Sequence, residues 1–155
     1  LATNIAERLQ NVGIAASLEE YPELDHGALI PLMTMFPDAD ISVVQMSLQH
    51  SLDPRCHANI AQILAPLLAE NILFLGSGGL VHNRHEIVRF GGSNLPPDEW
   101  ASAFEELVVA RLDTASKTSN FADALAELYH HPTFLQAHPT SEHFLPLVFM
   151  SAMGK

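Results

Sequence analysis

Hydrophobic and polar positions along the chain fall into helical and strand-like spacings. Residues 3–12 carry apolar side chains at helical intervals and Gly13 follows them, which predicts a helix with one buried face. Asp53 and Pro54 predict a second helix start, with an N-cap residue followed by a proline at the first helical position. Pro66 should kink the last turn of that helix.

Three short, mostly apolar runs at 14–18, 41–46 and 72–75 predict strands, and 28–36 predicts a short buried helix. The order strand, helix, strand between 41 and 75 is that of a βαβ unit with a right-handed crossover. The pattern therefore predicts an α/β fold with a mixed, largely parallel central sheet and flanking helices.

The second half of the chain is predicted to be mainly helical. A Gly- and Pro-rich loop at 91–97 precedes a helix that reaches Leu112, and Asn120 is the candidate cap of the next helix. The last helix is expected to begin at Thr140 or Ser141 and to be buried, because it is apolar on nearly every side.

Composition narrows the class of protein. The chain has 155 residues with 18 acidic and 7 basic side chains, a net charge of −11, so it is expected to form one soluble domain that does not bind nucleic acid. No apolar run approaches the ~20 residues of a membrane span. The lone Cys56 rules out an intrachain disulfide and fits the cytoplasm. Leu1 and Lys155 both lie at the edge of a helical pattern, as in an interior piece of a longer protein.

Nine histidines outnumber all lysines and arginines together, which directs attention to imidazole chemistry. His82 follows a glycine cluster just beyond a predicted strand, where open parallel sheets bind ligands. On spacing alone, a loop histidine bonded to nearby backbone is the commoner explanation of His82. The cluster lacks the glycine spacing of a dinucleotide site and the lysine of a P-loop, so nucleotide binding is disfavoured.

Two further histidines have chemically suggestive neighbours. His26 follows Asp25, which could orient the imidazole for acid–base work or could simply cap a helix. His143 lies beside Glu142 at the start of the apolar last helix, where a partner could be a metal or an ordinary hydrogen-bonding group of the core. Spacing alone assembles no complete metal site, because three or four ligands are needed.

Three segments taken together resemble a known family, the class III extradiol ring-cleavage dioxygenases, and in particular their DOPA dioxygenase branch. The first segment contains Asp25-His26-Gly27, the second runs from Gly76-Ser77-Gly78 to His82-Asn83, and the third is His138-Pro139-Thr140-Ser141-Glu142-His143. The resemblance covers nearly all 155 residues. It implies the fold of that family, in a form that is incomplete at both ends.

The resemblance also implies an activity. A non-haem metal, most often Fe(II) and alternatively zinc, would bind both oxygens of a catechol-type substrate beside O2, and the ring would open to a semialdehyde. By position, His143 would be a metal ligand, His82 the catalytic base and His26 the catalytic acid, while His138 would line the substrate pocket. A homodimer is a further possibility that the family suggests.

One departure from the family pattern bears on all of these roles. Two more histidine ligands are expected from a segment upstream of Leu1, and nothing in this sequence matches it. We therefore expect residues 1–155 to be a single domain that forms the C-terminal two thirds of a longer catalytic domain. The alternative is a shortened, non-catalytic relative that binds an aromatic ligand or acts as an assembly subunit. A hydrolase with metal-bound water is disfavoured, because such sites usually keep three protein ligands.

Overall fold

A computed structural model describes residues 1–20, 23–86, 96–117 and 120–154, and its regular structure is helical. Seven α-helices lie wholly within these residues: α1 (Ala2–Gln10), α2 (His26–Met35), α3 (Pro54–Leu64), α4 (Glu99–Ser116), α5 (Phe121–Ala126), α6 (Phe134–Ala137) and α7 (Leu145–Met153). Two short 3-10 helices, Ala65–Glu70 and Glu127–His130, continue α3 and α5. Most of the predicted loop at 91–97 lies outside the described residues.

The predicted start and interruption of the α3 helix are confirmed. The Asp53 side chain accepts hydrogen bonds from the backbone N–H groups of Arg55 (2.8 Å) and Cys56 (3.4 Å), and Pro54 occupies the first turn. The α-helix ends at Leu64, and the 3-10 helix that contains Pro66 begins at the next residue, Ala65. A proline nitrogen carries no hydrogen and cannot donate the i to i−4 hydrogen bond of an α-helix. The backbone therefore continues as the tighter 3-10 helix.

The predicted helix at the beginning of the chain is also confirmed, and it ends near the predicted glycine. Ile5 and Leu9 are buried. Gly13 has a φ of +81°, a left-handed conformation that costs glycine nothing, and the next residue returns a hydrogen bond from its N–H to the Leu9 carbonyl (2.9 Å).

The core lies between α3 and α7, the two helices with the most extensive contact among those described. Leu64 and Val148 are fully buried there. Beside them, the rings of Phe104, Phe134 and Phe144 meet at edge-to-face and tilted angles with centroids 5.3 to 6.2 Å apart. Such aromatic packing contributes stability beyond the burial of area. The helix α7 is thus packed into the core, as its apolar sequence predicts.

The three predicted strands, at 14–18, 41–46 and 72–75, are not assigned as strands, and no backbone hydrogen bond among the described residues joins one of them to another. Burial nevertheless alternates along the third segment: Ile72 and Phe74 pack against the core, while the residues between and after them are exposed. Alternation with a period of two is typical of a strand with one covered face. The helical layer is therefore confirmed, and the mixed, largely parallel sheet stays a prediction.

The prediction of a short buried helix at 28–36 was wrong about burial. A helix does form, as α2, but none of its residues is buried, and Ile30, Met33 and Met35 are 57%, 61% and 50% exposed. The reason is that α2 makes little contact with the other described helices. It therefore presents an uncovered apolar surface.

Among the described residues, no helix combines the length and the hydropathy that crossing a membrane would require.

Candidate metal centre

The glycine-rich loop packs directly on the turn that precedes α7. The Gly79 N–H donates to the carbonyl oxygen of His143 (2.9 Å), and a Cβ atom on Gly78 would overlap that same oxygen. A Cβ on Gly76 would lie 2.5 Å from Cγ of Met150. Only glycine, which has no Cβ atom, allows the loop to come this close. Gly76 and Gly78 therefore let the loop backbone pack against the turn and α7.

Three hydrogen bonds fasten the rest of this loop to the segment around α6. The backbone N–H of His82 donates to Ala137 O (2.9 Å), and the Asn83 side-chain amide donates to Gln136 O (2.7 Å). In the opposite direction, Nε2 of His138 donates to Leu80 O (2.8 Å). The second motif segment is therefore bound to α6 and to the first residue of the third motif segment, which restrains the backbone of His82.

This packing brings His82 and His143 together as a stacked pair. Their ring centroids are 3.4 Å apart and their planes differ by 3°. Glu142 lies at the edge of the stack, with its Oε1 atom 3.3 Å from Nδ1 of His143 and 3.9 Å from Nδ1 of His82. The Thr140 hydroxyl donates to the same Oε1 (2.8 Å). One possible ligand atom from each of the two histidines and the glutamate lies within 4.8 Å of the others.

The stack limits how these groups can bind a metal ion. An imidazole nitrogen binds a metal in its own ring plane at ~2.0–2.1 Å, because its lone pair lies in that plane. An ion shared by the two parallel rings would lie about half of the 3.4 Å separation out of each plane, far from both lone pairs. In this arrangement one ion can therefore bind one of the two imidazoles along its lone pair, with a carboxylate beside it. Imidazole and carboxylate donors suit a divalent transition metal.

Local electrostatics favours a neutral His82. Burial and the neighbouring His143 lower the pKa of His82 below its ordinary value, and Glu142 opposes this only in part. Burial by itself would raise the pKa of Glu142, but hydrogen bonds from Thr140, from its own backbone N–H and from His143 outweigh it and lower that pKa. At neutral pH the cluster therefore combines a neutral imidazole at His82 with an ionised carboxylate.

His138 lies beneath this cluster, inside the aromatic core. It is 1% exposed, with the rings of Phe104, Phe134 and Phe144 at 5.1 to 5.9 Å. Its Nε2–H is used by Leu80, while its Nδ1 is buried without a hydrogen-bond partner. Burial lowers the pKa of this imidazole. The structure thus places His138 as a neutral histidine of the core, next to the residues of the site rather than on an open wall.

His26 is not brought to the cluster by any described contact. It is the exposed first residue of α2, and no hydrogen bond, ion pair or ring contact joins it to His82 or His143 in the described ranges. The Asp25 carboxylate accepts from the Ala28 N–H (2.8 Å), so Asp25 caps the helix. Of the two sequence interpretations of this acid, helix capping is the one observed.

Glu142 is the member of the cluster to which the sequence assigned no role of its own. Its position between Thr140 and His143 in the third motif was the available signal, but Thr140 and Ser141 were expected to cap the last helix. No side-chain cap is present there: α7 begins at Leu145, and Thr140 instead orients the glutamate. His143 therefore lies in the turn before the helix and not in its first turn.

Comparison with known proteins defines the family. The family model described as the catalytic LigB subunit of aromatic ring-opening dioxygenase matches residues 1–155. Proteins named 4,5-DOPA dioxygenase extradiol are similar to the chain: the one from Beta vulgaris is 36% identical over 157 residues, covering 100% of the chain and 56% of the relative. The one from Escherichia coli K12 is 33% identical over 150 residues, covering 97% of the chain and 54% of the relative.

A solved structure is similar as well. The crystal structure of an uncharacterized protein from Escherichia coli K12 superposes with a TM-score of 0.80 at 30% identity, over 98% of this chain and 60% of that one. The chain belongs to the LigB family of aromatic ring-opening dioxygenases, in agreement with the resemblance of its three motifs. It spans about half the length of the named relatives, 56% and 54% for the two given above.

Proposed function

We propose that residues 1–155 belong to a non-haem metal-dependent extradiol dioxygenase that uses O2 to open the ring of a catechol-type aromatic to a semialdehyde. The observation that carries this proposal is the cluster of His82, Glu142 and His143. Two of the motifs that resemble the family meet in it, and the relatives of the chain are named for extradiol cleavage of DOPA.

His143 is the proposed metal ligand of this chain. Its side chain is 43% exposed, and its Nδ1 faces Glu142, which leaves Nε2 for an ion. Fe(II) is the proposed metal, with zinc as the alternative, since both accept imidazole ligands. When bound, the metal would supply a positive centre that favours the ionised form of a catechol and brings it beside O2.

His82 is the proposed base that takes a proton from a catechol hydroxyl. A base must be unprotonated before it acts, and the lowered pKa of His82 keeps its imidazole neutral at neutral pH. The parallel stack leaves His82 beside the metal ligand without sharing its ion. Its backbone is also held by the hydrogen bond to Ala137, which restrains the position of the proposed proton acceptor.

His26 and His138 have weaker structural support in the same scheme. We assign His26 to the acid role from its position in the first motif, and we place His138 behind the substrate pocket, since its ring is buried in the aromatic core. His138 acts here through position: it hydrogen-bonds Leu80, two residues before His82, and so supports the loop that carries the base.

The uncovered surface of α2 supports the proposal that this chain is the C-terminal two thirds of a longer catalytic domain. Exposed apolar side chains at Ile30, Met33 and Met35 need a covering element, and the named relatives are nearly twice as long as the matched region. An additional segment would also be the source of further metal ligands, since three are usual.

The test is ring opening by the protein expressed from its whole reading frame. The protein is loaded with Fe(II) without oxygen, mixed with a catechol and exposed to air while the yellow semialdehyde is followed by absorbance. We expect colour with Fe(II), loss of colour in His143→Ala, and normal colour in His50→Ala, an exposed histidine outside the cluster. If wild-type protein binds neither iron nor zinc and produces no colour, the non-catalytic relative is the correct alternative.

A further inference from the structure

The hydrogen bonding of His143 determines which of its ring nitrogens is available to a metal, an argument that rests on the function proposed above. A neutral imidazole carries one proton, on Nδ1 or on Nε2, and only the other nitrogen has a free lone pair. Nδ1 of His143 lies 3.3 Å from Oε1 of Glu142. An ionised carboxylate can only accept hydrogen bonds, so this contact requires the proton to be on Nδ1.

The carboxylate is itself held in place. The Thr140 hydroxyl donates to the same Oε1 at 2.8 Å, which points that oxygen at the turn. The backbone of His143 is fixed through its carbonyl oxygen, which accepts from Gly79, and its ring plane is fixed by the stack with His82. The imidazole is therefore restrained at its backbone, its face and one nitrogen.

We propose that Glu142 is a positioning residue that keeps the proton on Nδ1 of His143 and so presents Nε2 as the metal-binding nitrogen. In many metal sites a ligating histidine donates its other N–H to a carboxylate, which fixes the tautomer and raises the basicity of the ligand. Here the carboxylate comes from the residue directly before the histidine, and a threonine two residues earlier orients it.

The first measurement is the tautomer of His143 in the metal-free protein. Two-dimensional ¹H–¹⁵N spectra of the imidazole, recorded near pH 8 where an ordinary histidine (pKa ~6.5) is neutral, distinguish a protonated Nδ1 from a protonated Nε2. We expect the Nδ1–H form in wild type and a mixture in Glu142→Leu, which removes the acceptor. Glu142→Gln should restore much of the Nδ1–H form, because its amide oxygen still accepts. Glu105→Leu, an exposed glutamate on α4, is the control and should match wild type.

The second measurement is metal affinity, by competition of Zn²⁺ and Fe²⁺ with a chelator. Loss of such a supporting carboxylate typically weakens metal binding about 10- to 100-fold. We expect that loss in Glu142→Leu, a smaller one in Glu142→Gln and none in Glu105→Leu. The Gln variant keeps the test valid if the Leu variant folds poorly.

The outcomes separate this inference from the proposed function. If wild type holds the Nε2–H form, or if the Glu142 variants leave both the tautomer and the affinity unchanged, the positioning role is wrong even when iron binds and rings open. If metal binding vanishes in Glu142→Gln while the tautomer stays as in wild type, Glu142 is itself a ligand and the positioning role is again wrong. If the tautomer shifts as expected but wild type binds no metal, the positioning role holds and the proposed function fails.

Discussion

The imidazoles of His82 and His143 lie face to face, with 3.4 Å between their centroids and 3° between their planes. The two residues are far apart in the chain, and the glycine-rich loop brings them together by packing on the turn before α7. Because their rings are stacked, the two histidines can take different parts in metal binding and proton transfer. One ring can bind an ion along its lone pair, and the other then lies beside that ion as a proton acceptor.

If His143 binds the metal and His82 accepts the proton, replacing His82 should lower activity without lowering metal content. His82→Gln should keep the metal content of wild type, because the proposed ligand nitrogen belongs to His143. It should lower kcat for ring opening by about 10²- to 10⁴-fold, the usual contribution of a general base. Metal content by atomic emission and kcat for semialdehyde formation are measured on the same preparations.

His50→Ala, which removes an exposed histidine, is the control for this experiment and should change neither quantity. Loss of metal in His82→Gln would show that His82 is a ligand. Normal kcat with normal metal content would remove His82 from the chemistry.

Gly78 offers a test of the packing that builds the site. A methyl group at this position would overlap the backbone carbonyl oxygen of His143, and a backbone atom cannot turn away as a side chain can. We expect Gly78→Ala to lower the free energy of unfolding by about 1–3 kcal/mol, as overpacking does, and to weaken metal binding by displacing the backbone of His143, the proposed ligand. Urea unfolding and chelator competition measure the two effects.

Gly154→Ala is the matched control, because nothing lies within 4 Å of its Cβ position and its φ of −85° suits alanine. If Gly78→Ala is as stable as Gly154→Ala and binds metal normally, the loop does not pack as described.

Local signals predicted the helices well because each depends on a few neighbouring residues. Asp53 with Pro54 marks the start of α3, and Gly13 marks the end of the first helix by adopting a conformation that other residues avoid. Asn120 occupies the predicted N-cap position of α5, but its side chain makes no cap hydrogen bond there. The short helix α6 was not predicted, since four residues carry too little periodicity.

Burial and site geometry depend on tertiary contacts, and the sequence predicts them less well. The apolar composition of α2 suggested a buried helix, yet composition does not say whether a covering element is present. Similarly, the motifs pointed to His82 and His143 but not to the parallel stacking of their rings. The role of Glu142 depends on the direction of one carboxylate, which no spacing in the sequence encodes.

Leu64 should be a strong determinant of stability. It is fully buried in α3 at the contact with α7. Leu64→Ala should lower the free energy of unfolding by about 2–5 kcal/mol, from lost burial and from the cavity left behind. Leu73→Ala removes the same atoms from a side chain that is 70% exposed and should change stability by less than about 0.5 kcal/mol. Equal effects of the two substitutions in urea unfolding would contradict the described core.

The burial of the His138 imidazole should make the free energy of unfolding depend on pH. Burial, together with the nearby His82 and His143, lowers its pKa from the ordinary value of 6.5, although its bond to Leu80 and the charge of Glu142 act in the opposite direction. The unfolded chain therefore binds a proton at a higher pH than the folded protein does. Stability is fully present above about pH 6.5 and falls as the pH drops below that value toward the lowered folded pKa.

The contribution of His138 is isolated by comparison with His138→Gln, whose amide can still donate to Leu80 but does not titrate. The free energy of unfolding of the metal-free protein is measured in urea from about pH 7.5 to about pH 5.5, above the range in which most carboxylates titrate. At the upper end wild type should be the more stable, because glutamine fills the aromatic cage less well. The difference should shrink as the pH falls, since only the wild type then has to exclude a proton from buried Nδ1, an atom that has no hydrogen-bond partner. A difference that stays constant or grows toward low pH would mean that His138 takes up its proton at least as easily in the folded state as in the unfolded one.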